Sequence, residues 1–272
     1  MTTSCHANDV AARLTGRKYL SFSAISTFQQ CPLRFAFRYI QNLPEATVSA
    51  SLVFGGAIHA AVQRHFDELM AGLPPPPIES LLEAYTAAWE AHAFKTVNFG
   101  KTDSRASLDT LAARMLHAFQ ASDLAQPAGR ILGIEEELVG ELVPDCPDLL
   151  ARLDLVIETP DAVIVTDFKT SRSRWSNGQV TDAGAQLLLY SELARLLVPG
   201  KSVRLQFAVL TKTQNPVVEA WPLAVDSARI ARTKRIFERV WEAIQAGRFY
   251  PAPSPMQCPT CPFQVQCDAW SG

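Results

Sequence analysis

Two runs of alternating residues, LLARLDLVIET (149–159) and AVIVTDFKT (162–170), meet at Pro160-Asp161. A period of two marks strands with two distinct faces, and a Pro-Asp step between them is turn chemistry. Symmetry about that dipeptide sets Thr159 opposite Ala162 and Asp154 opposite Asp167. Alternation then places Arg152, Asp154 and Val156 beside Val165, Asp167 and Lys169 on one face. Leu153, Leu155, Ile157, Ile164 and Phe168 form an apolar wall on the other. The pattern that makes this ribbon therefore brings two carboxylates together, with an ammonium two positions along.

Two opposed carboxylates repel each other. A divalent cation removes the repulsion, and Mg²⁺ or Mn²⁺ suits hard oxygen ligands shared with a phosphate. Lys169 would then orient water or stabilise charge on the phosphate. Taken by itself, Asp-x-Lys reads as the acid–base pair of a solvated strand end.

The rest of the chain bounds the fold. Its 272 residues, 48% hydrophobic, suffice for one large core or two modest ones. No window approaches the roughly 18 to 20 apolar residues of a membrane span. The start, MTTSCHANDV, lacks a signal-peptide layout, so a cytoplasmic, non-membrane protein is expected. A net charge of -2 excludes a global basic field, so nucleic-acid contacts would have to be local. Helices are expected after an N-cap at Ser23, from Pro32, over 52–71, near 78–94 and 105–121, over 182–198, and from Ser227 to Gly247. LPPPP (73–77) is a connector. ILGIEEELVGEL precedes the ribbon as a strand, and VRLQFAVL with VVEAWPLAV reads as a strand pair. The expected class is α/β: a mixed sheet flanked by helices, behind an N-terminal helical segment and before an irregular tail.

Asp154 followed by Asp167-Phe168-Lys169 after an apolar strand resembles the active-site core of the PD-(D/E)XK nucleases. AQLLLYSELA carries Gln186 and Tyr190 four apart, hence on one helical face, and resembles the Q-x-x-x-Y motif of the RecB-like branch. GGAIHAAVQRHF resembles the helix supplying that branch's metal-binding histidine, which would be His59. His65 lies outside the G-x-x-H position. Either histidine, read alone, fits an ordinary packed or surface residue.

Of six cysteines, Cys258, Cys261 and Cys267 crowd the tail, a strong metal-site signal. Cys31 is the candidate fourth ligand. The RecB-like nucleases include an iron–sulfur subgroup, with AddB-like and CRISPR-associated members, that has one cysteine before the core and three after it. The resemblance implies a 4Fe–4S cluster on Cys31, Cys258, Cys261 and Cys267, pinning the tail to the N-terminal helices; spacing alone fits a Cys₄ zinc site too. Cys5 and Cys146 have no partner pattern and read as free thiols.

The resemblance further implies a restriction-endonuclease-like core and Mg²⁺- or Mn²⁺-dependent hydrolysis of DNA, as an exonuclease on single strands or ends. His59, Asp154, Asp167 and the Phe168 carbonyl would hold the metal. Lys169 would position the nucleophile, and Gln186 and Tyr190 would contact the strand. Among Glu135, Glu136 and Glu137, Glu137 is the candidate to join the metal shell. Arg172, Arg174 and Trp175 offer DNA contacts, as do the basic helix Arg229, Arg232, Lys234, Arg235 and Arg239, and Arg34 with Arg38. Residues 1–20 read as an extension and 21–272 as a single nuclease domain: a helical part (about 21–125), a core (about 130–247) and a tail. No helicase segment is present, which leaves a stand-alone enzyme or one joined to a helicase or a CRISPR integration partner. A DNA-binding scaffold without turnover is the competing reading, and a redox or zinc module a third. Polarity, strand preference, exonuclease or endonuclease mode, pathway and oligomeric state are not encoded in these motifs.

Overall fold

The structure, a computed structural model, describes residues 3–45 and 47–272, with side chains from His6 onward, so the Cys5 thiol lies outside the described residues. The elements are α1 (Thr3–Thr15), β1 (Tyr19–Ser21), α2 (Phe22–Gln30), α3 (Pro32–Phe35), β2 (Thr47–Ser49), α4 (Ala50–Met70), α5 (Ile78–Glu90), β3 (Thr96–Asn98) and α6 (Arg105–Gln120). Then come β4 (Arg130–Gly140), β5 (Asp148–Glu158), β6 (Ala162–Ser171), α7 (Asn177–Ala183), α8 (Ala185–Ala194), β7 (Ser202–Thr211), β8 (Val218–Leu223), α9 (Ser227–Gln245) and α10 (Gln264–Asp268). They form two compact units. One comprises residues 1–46, 137–152 and 226–272; the other comprises 47–136 and 153–225.

The second unit holds the hairpin. β5 and β6 pair antiparallel from Leu155↔Thr166 to Glu158↔Val163, and Thr159 N donates to the Ala162 carbonyl at 2.9 Å. This is the register that turn symmetry predicts, and it sets Asp154 beside Asp167 one step further on. β7 runs parallel to β6 and β8 antiparallel to β7, while β4 pairs with β5. The result is a mixed sheet flanked by helices. The apolar wall of the ribbon, Leu155, Ile157 and Phe168, packs against Phe54, Ile58, Phe66 and Phe119 of α4 and α6. Phe168 sits 5.9 Å from the Phe66 ring and 6.1 Å from Phe119. Full burial of each such side chain contributes about 1.5–3 kcal/mol. The opposite face, with Val156 and Val165 fully buried, takes α8 against β6 and β7.

α4 presents Val53, Phe54, Ala57, Ile58, Ala61, Val62, His65 and Phe66 as one buried stripe at helical spacing. Ser49 caps its start by accepting from Leu52 N. This helix carries His59. The helix expected over 182–198 is two helices, broken at Gly184, where an added Cβ would lie 2.9 Å from Leu223 and 3.2 Å from the Val180 carbonyl.

In the first unit, β1 pairs parallel with the start of β5, Tyr19↔Asp148 to Ser21↔Leu150. The Asn8 side chain of α1 grips Asp148 twice: its Nδ2 donates to Asp148 Oδ2 at 2.9 Å, and its Oδ1 accepts from Asp148 N at 2.8 Å. Phe28, Phe35 and Phe249 share an aromatic cluster, and Leu33, Phe37 and Phe263 form a second small core. Ser21, not Ser23, caps α2, because its hydroxyl meets Ala24 N at 3.2 Å. Pro32 opens α3 as expected. α9 is capped by Asp226 and stops before Gly247 at φ +63°. Among the described residues no helix is long and apolar enough to cross a membrane.

Candidate functional site

The centre lies where β5 and β6 pass under α4. One oxygen of Asp154 accepts the Phe168 backbone N–H at 2.7 Å and stands 3.5 Å from His59 Nδ1. The Phe168 backbone in turn favours the charged form of His59, though less than burial disfavours it. The Phe168 side chain is core, so this residue offers only its backbone to the site. His59, Glu135 and Asp154 present ligand atoms that all lie within 4.8 Å of one another. That spacing fits a single divalent cation.

Glu135 was reachable from sequence only as one of three consecutive acids. It has φ +49° inside β4, a left-handed setting that breaks alternation and swings its carboxylate to the site. Glu137, the acid favoured by sequence, instead pairs with Arg152. No periodic signal could separate the two, since a left-handed residue breaks the period.

Asp167 is 4% exposed, and Lys169 makes an ion pair with its Oδ2. That oxygen is sealed from solvent and has no hydrogen bond among the described residues. A buried carboxylate oxygen held by one ammonium retains coordinating capacity. The electrostatics agree with a cation site. Burial, then Asp167 beside it and Glu135 beyond, push the Asp154 carboxyl well above its ordinary value, against Lys169 and the Phe168 N–H. Burial, then Lys169, push His59 below its ordinary value, against Asp167 and the Phe168 carbonyl. A neutral imidazole is the ligand form of histidine.

On α8, Gln186 and Tyr190 share one helical face, as their spacing predicts, and Gln186 Nε2 donates to Tyr190 Oη at 3.2 Å. Tyr190 is buried and Gln186 half-buried. Of the proposed DNA contacts, Arg174 reaches Glu219 at 3.4 Å and the Trp175 ring lies 5.0 Å from Phe207, so both have protein partners. Arg172 is exposed. His65 is a packing residue: its Nε2 bonds the Ala125 carbonyl at 2.8 Å between the rings of Phe66 and Phe119.

In the first unit, Cys31, Cys258, Cys261 and Cys267 line one cavity of about 420 Å³. Cys31, Cys261 and Cys267 pack against Leu33, Phe37 and Phe263, and Ser254 N donates to Cys258 Sγ at 3.2 Å. Burial, then Cys31, Asp268 and the other two cysteines, hold the Cys267 thiol above its ordinary value. Four thiols facing one space are a donor set for a soft metal or cluster. Cys146 is buried apart, its thiol pushed up to about 12 by burial and then by Glu238, Asp145 and Glu242.

The family model of the PD-(D/E)XK nuclease superfamily matches residues 19–268. No curated protein matches the chain. Among solved structures, the crystal structure of a "Putative exonuclease" from Eubacterium rectale aligns over 100% of this chain and 93% of its own, at 13% identity and a TM-score of 0.59. The structure of SSO0001 aligns over 84% and 89% at 16% identity, with a TM-score of 0.37. At such identity the first likeness is one of fold, and the second bears no argument.

Proposed function

This chain belongs to the PD-(D/E)XK nuclease superfamily, and from that premise we propose that it is a Mg²⁺- or Mn²⁺-dependent exonuclease of the RecB-like, AddB-like branch, acting in the cytoplasm on single-stranded DNA or DNA ends. The convergence of His59, Glu135 and Asp154 on one point, with Asp167 and Lys169 beside it, carries the reading.

His59, Glu135, Asp154, Asp167 and the Phe168 carbonyl would hold the ion. When bound, such an ion activates water and neutralises charge on the reacting phosphate. The protein's own residues do the rest. Lys169, which pairs with Asp167 Oδ2, would orient the nucleophile and meet charge developing on the phosphate. Gln186 and Tyr190, already linked, steady the strand at the scissile position. His59 would serve as a neutral ligand, the form that its burial favours.

The four cysteines are proposed to hold a 4Fe–4S cluster, supported by their shared cavity and by the N–H donated to Cys258. Residues 21–272 would then work as one nuclease domain, the cluster tying its tail to its start. A helicase or a CRISPR integration complex is the partner this reading accommodates. End-labelled single- and double-stranded DNA, incubated with Mn²⁺ or Mg²⁺, tests the activity. Labelled mononucleotides or short products that vanish in Asp167→Ala support it. Wild-type protein that binds DNA but cuts neither substrate contradicts it and leaves a scaffold. Iron content and a broad absorbance near 400 nm test the cluster; a colourless zinc protein contradicts it.

A further inference from the structure

β6 and β7 stay in parallel register to the pair Ser171↔Thr211. The first residue beyond each strand is a cation, Arg172 and Lys212. Lys212 N still donates to the Ser171 carbonyl at 2.6 Å, which keeps the two chains adjacent where the cations follow. The Lys212 ammonium then folds back over α4: it donates to Ser51 Oγ at 3.3 Å and lies 5.0 Å from the centre of the Phe54 ring. Among the described residues it has no ion-pair partner. Asp103 favours its charge, and Arg172 is the cation set against it. Burial, then Arg172, hold this ammonium below its ordinary value. Two neighbouring cations disfavour each other's charge unless a counter-ion arrives. The active-site acids call for a cation by this logic, and here the sign is reversed.

Position decides which anion. Lys212 stands three residues beyond Val209, the register partner of Lys169, about 10 Å along the strand. Ser51 precedes His59 by eight residues on α4, about 12 Å along its axis. Both routes lead from the metal residues to the same spot, one or two nucleotides away on an extended strand.

We propose that Lys212, with Arg172 and the Ser51 hydroxyl, forms a phosphate-binding subsite that holds the substrate strand beside the reacting phosphate. The subsite deepens the nuclease reading above and rests on it. Lys212 is a positioning residue: it touches a phosphate that does not react. Binding of a 5′-labelled single-stranded oligonucleotide is measured across a salt series in an Asp154→Asn background, where cleavage does not intervene. Lys212→Met keeps the stem over Phe54 and removes the charge. It should weaken binding about tenfold at low salt and reduce the slope of log K against log salt by about 0.7, one phosphate contact on a single strand. Lys212→Arg should retain both. In the cleaving protein, Lys212→Met should raise KM with kcat within about twofold.

Unchanged affinity and slope in Lys212→Met overturn the subsite, as does equal loss in Met and Arg variants with a lowered Tm, which marks a purely structural lysine. Absence of any DNA binding by the parent overturns it too. The two readings separate cleanly. If the wild type cleaves while the slope ignores Lys212, the nuclease stands and the subsite falls. If the slope responds in a protein that never cleaves, the subsite stands alone.

Discussion

His59 and Asp154 are shifted in opposite directions for one main reason, burial, which disfavours whichever form is charged. The sign for stability follows. Asp154 has a folded-state pKa above its unfolded value, so its charge costs stability at pH above the unfolded value, near 4, and costs nothing below it, where both states are protonated. Asp154→Asn keeps an oxygen for the Phe168 N–H. Without divalent cation it should raise stability at pH 7 by about 1–2 kcal/mol, an advantage that disappears near pH 4. Thermal melts at the two pH values check this; equal stability at pH 7 would show that the site stores no charge strain. Glu135 carries a second prediction at this scale. Glu135→Gln should raise the Mn²⁺ concentration for half-maximal activity at least tenfold, whereas Glu137→Gln should leave it unchanged, and a reversed order would restore the acid that alternation favours. Asp154, Asp167 and Lys169 were legible because a two-residue period and one turn fix their register. Glu135 was not, because its left-handed backbone obeys no period.

At the level of elements, the hairpin and the long helices follow from local pattern, while their ends and breaks depend on neighbours. α7 and α8 read as one helix because Gly184 is a mild helix breaker; only its approach to Leu223 and Val180 reveals the break. β1, β2 and β3, three residues each, have too little pattern to be recognised and exist through their partners. α1 lies inside the stretch that the sequence presents as an extension, since its weak amphipathicity says little until Asn8 meets Asp148. The approach to β4 gives a sharper prediction. Gly129 has φ +140°, and an added Cβ would fall 2.5 Å from the Glu158 carbonyl oxygen. Gly129→Ala must move backbone, not a side-chain tip, and should cost about 2–3 kcal/mol in denaturant unfolding. A loss below about 0.5 kcal/mol would mean that the start of β4, and hence the setting of Glu135, is looser than described.

Across the molecule, the cysteine set is the proposed long-range tie. Three tail cysteines were visible as a cluster in sequence; Cys31 entered through a family resemblance, since no spacing rule links it to residues more than two hundred positions away. Closing so long a loop restricts the unfolded chain by about 5 kcal/mol in the chain-entropy treatment. Cys31→Ser should therefore lose the iron and lower Tm by on the order of 10 °C, while Cys146→Ser should keep the iron. Iron retained without Cys31 would place the fourth ligand elsewhere. The central claim remains the cation held by His59, Glu135 and Asp154. A crystal soaked in Mn²⁺ and recorded at the manganese absorption edge tests it most directly. The account predicts one strong anomalous peak bonded to those three side chains, lost in Asp154→Asn; a peak elsewhere, or none in a crystal that admits manganese at the same concentration that supports cleavage, would contradict it.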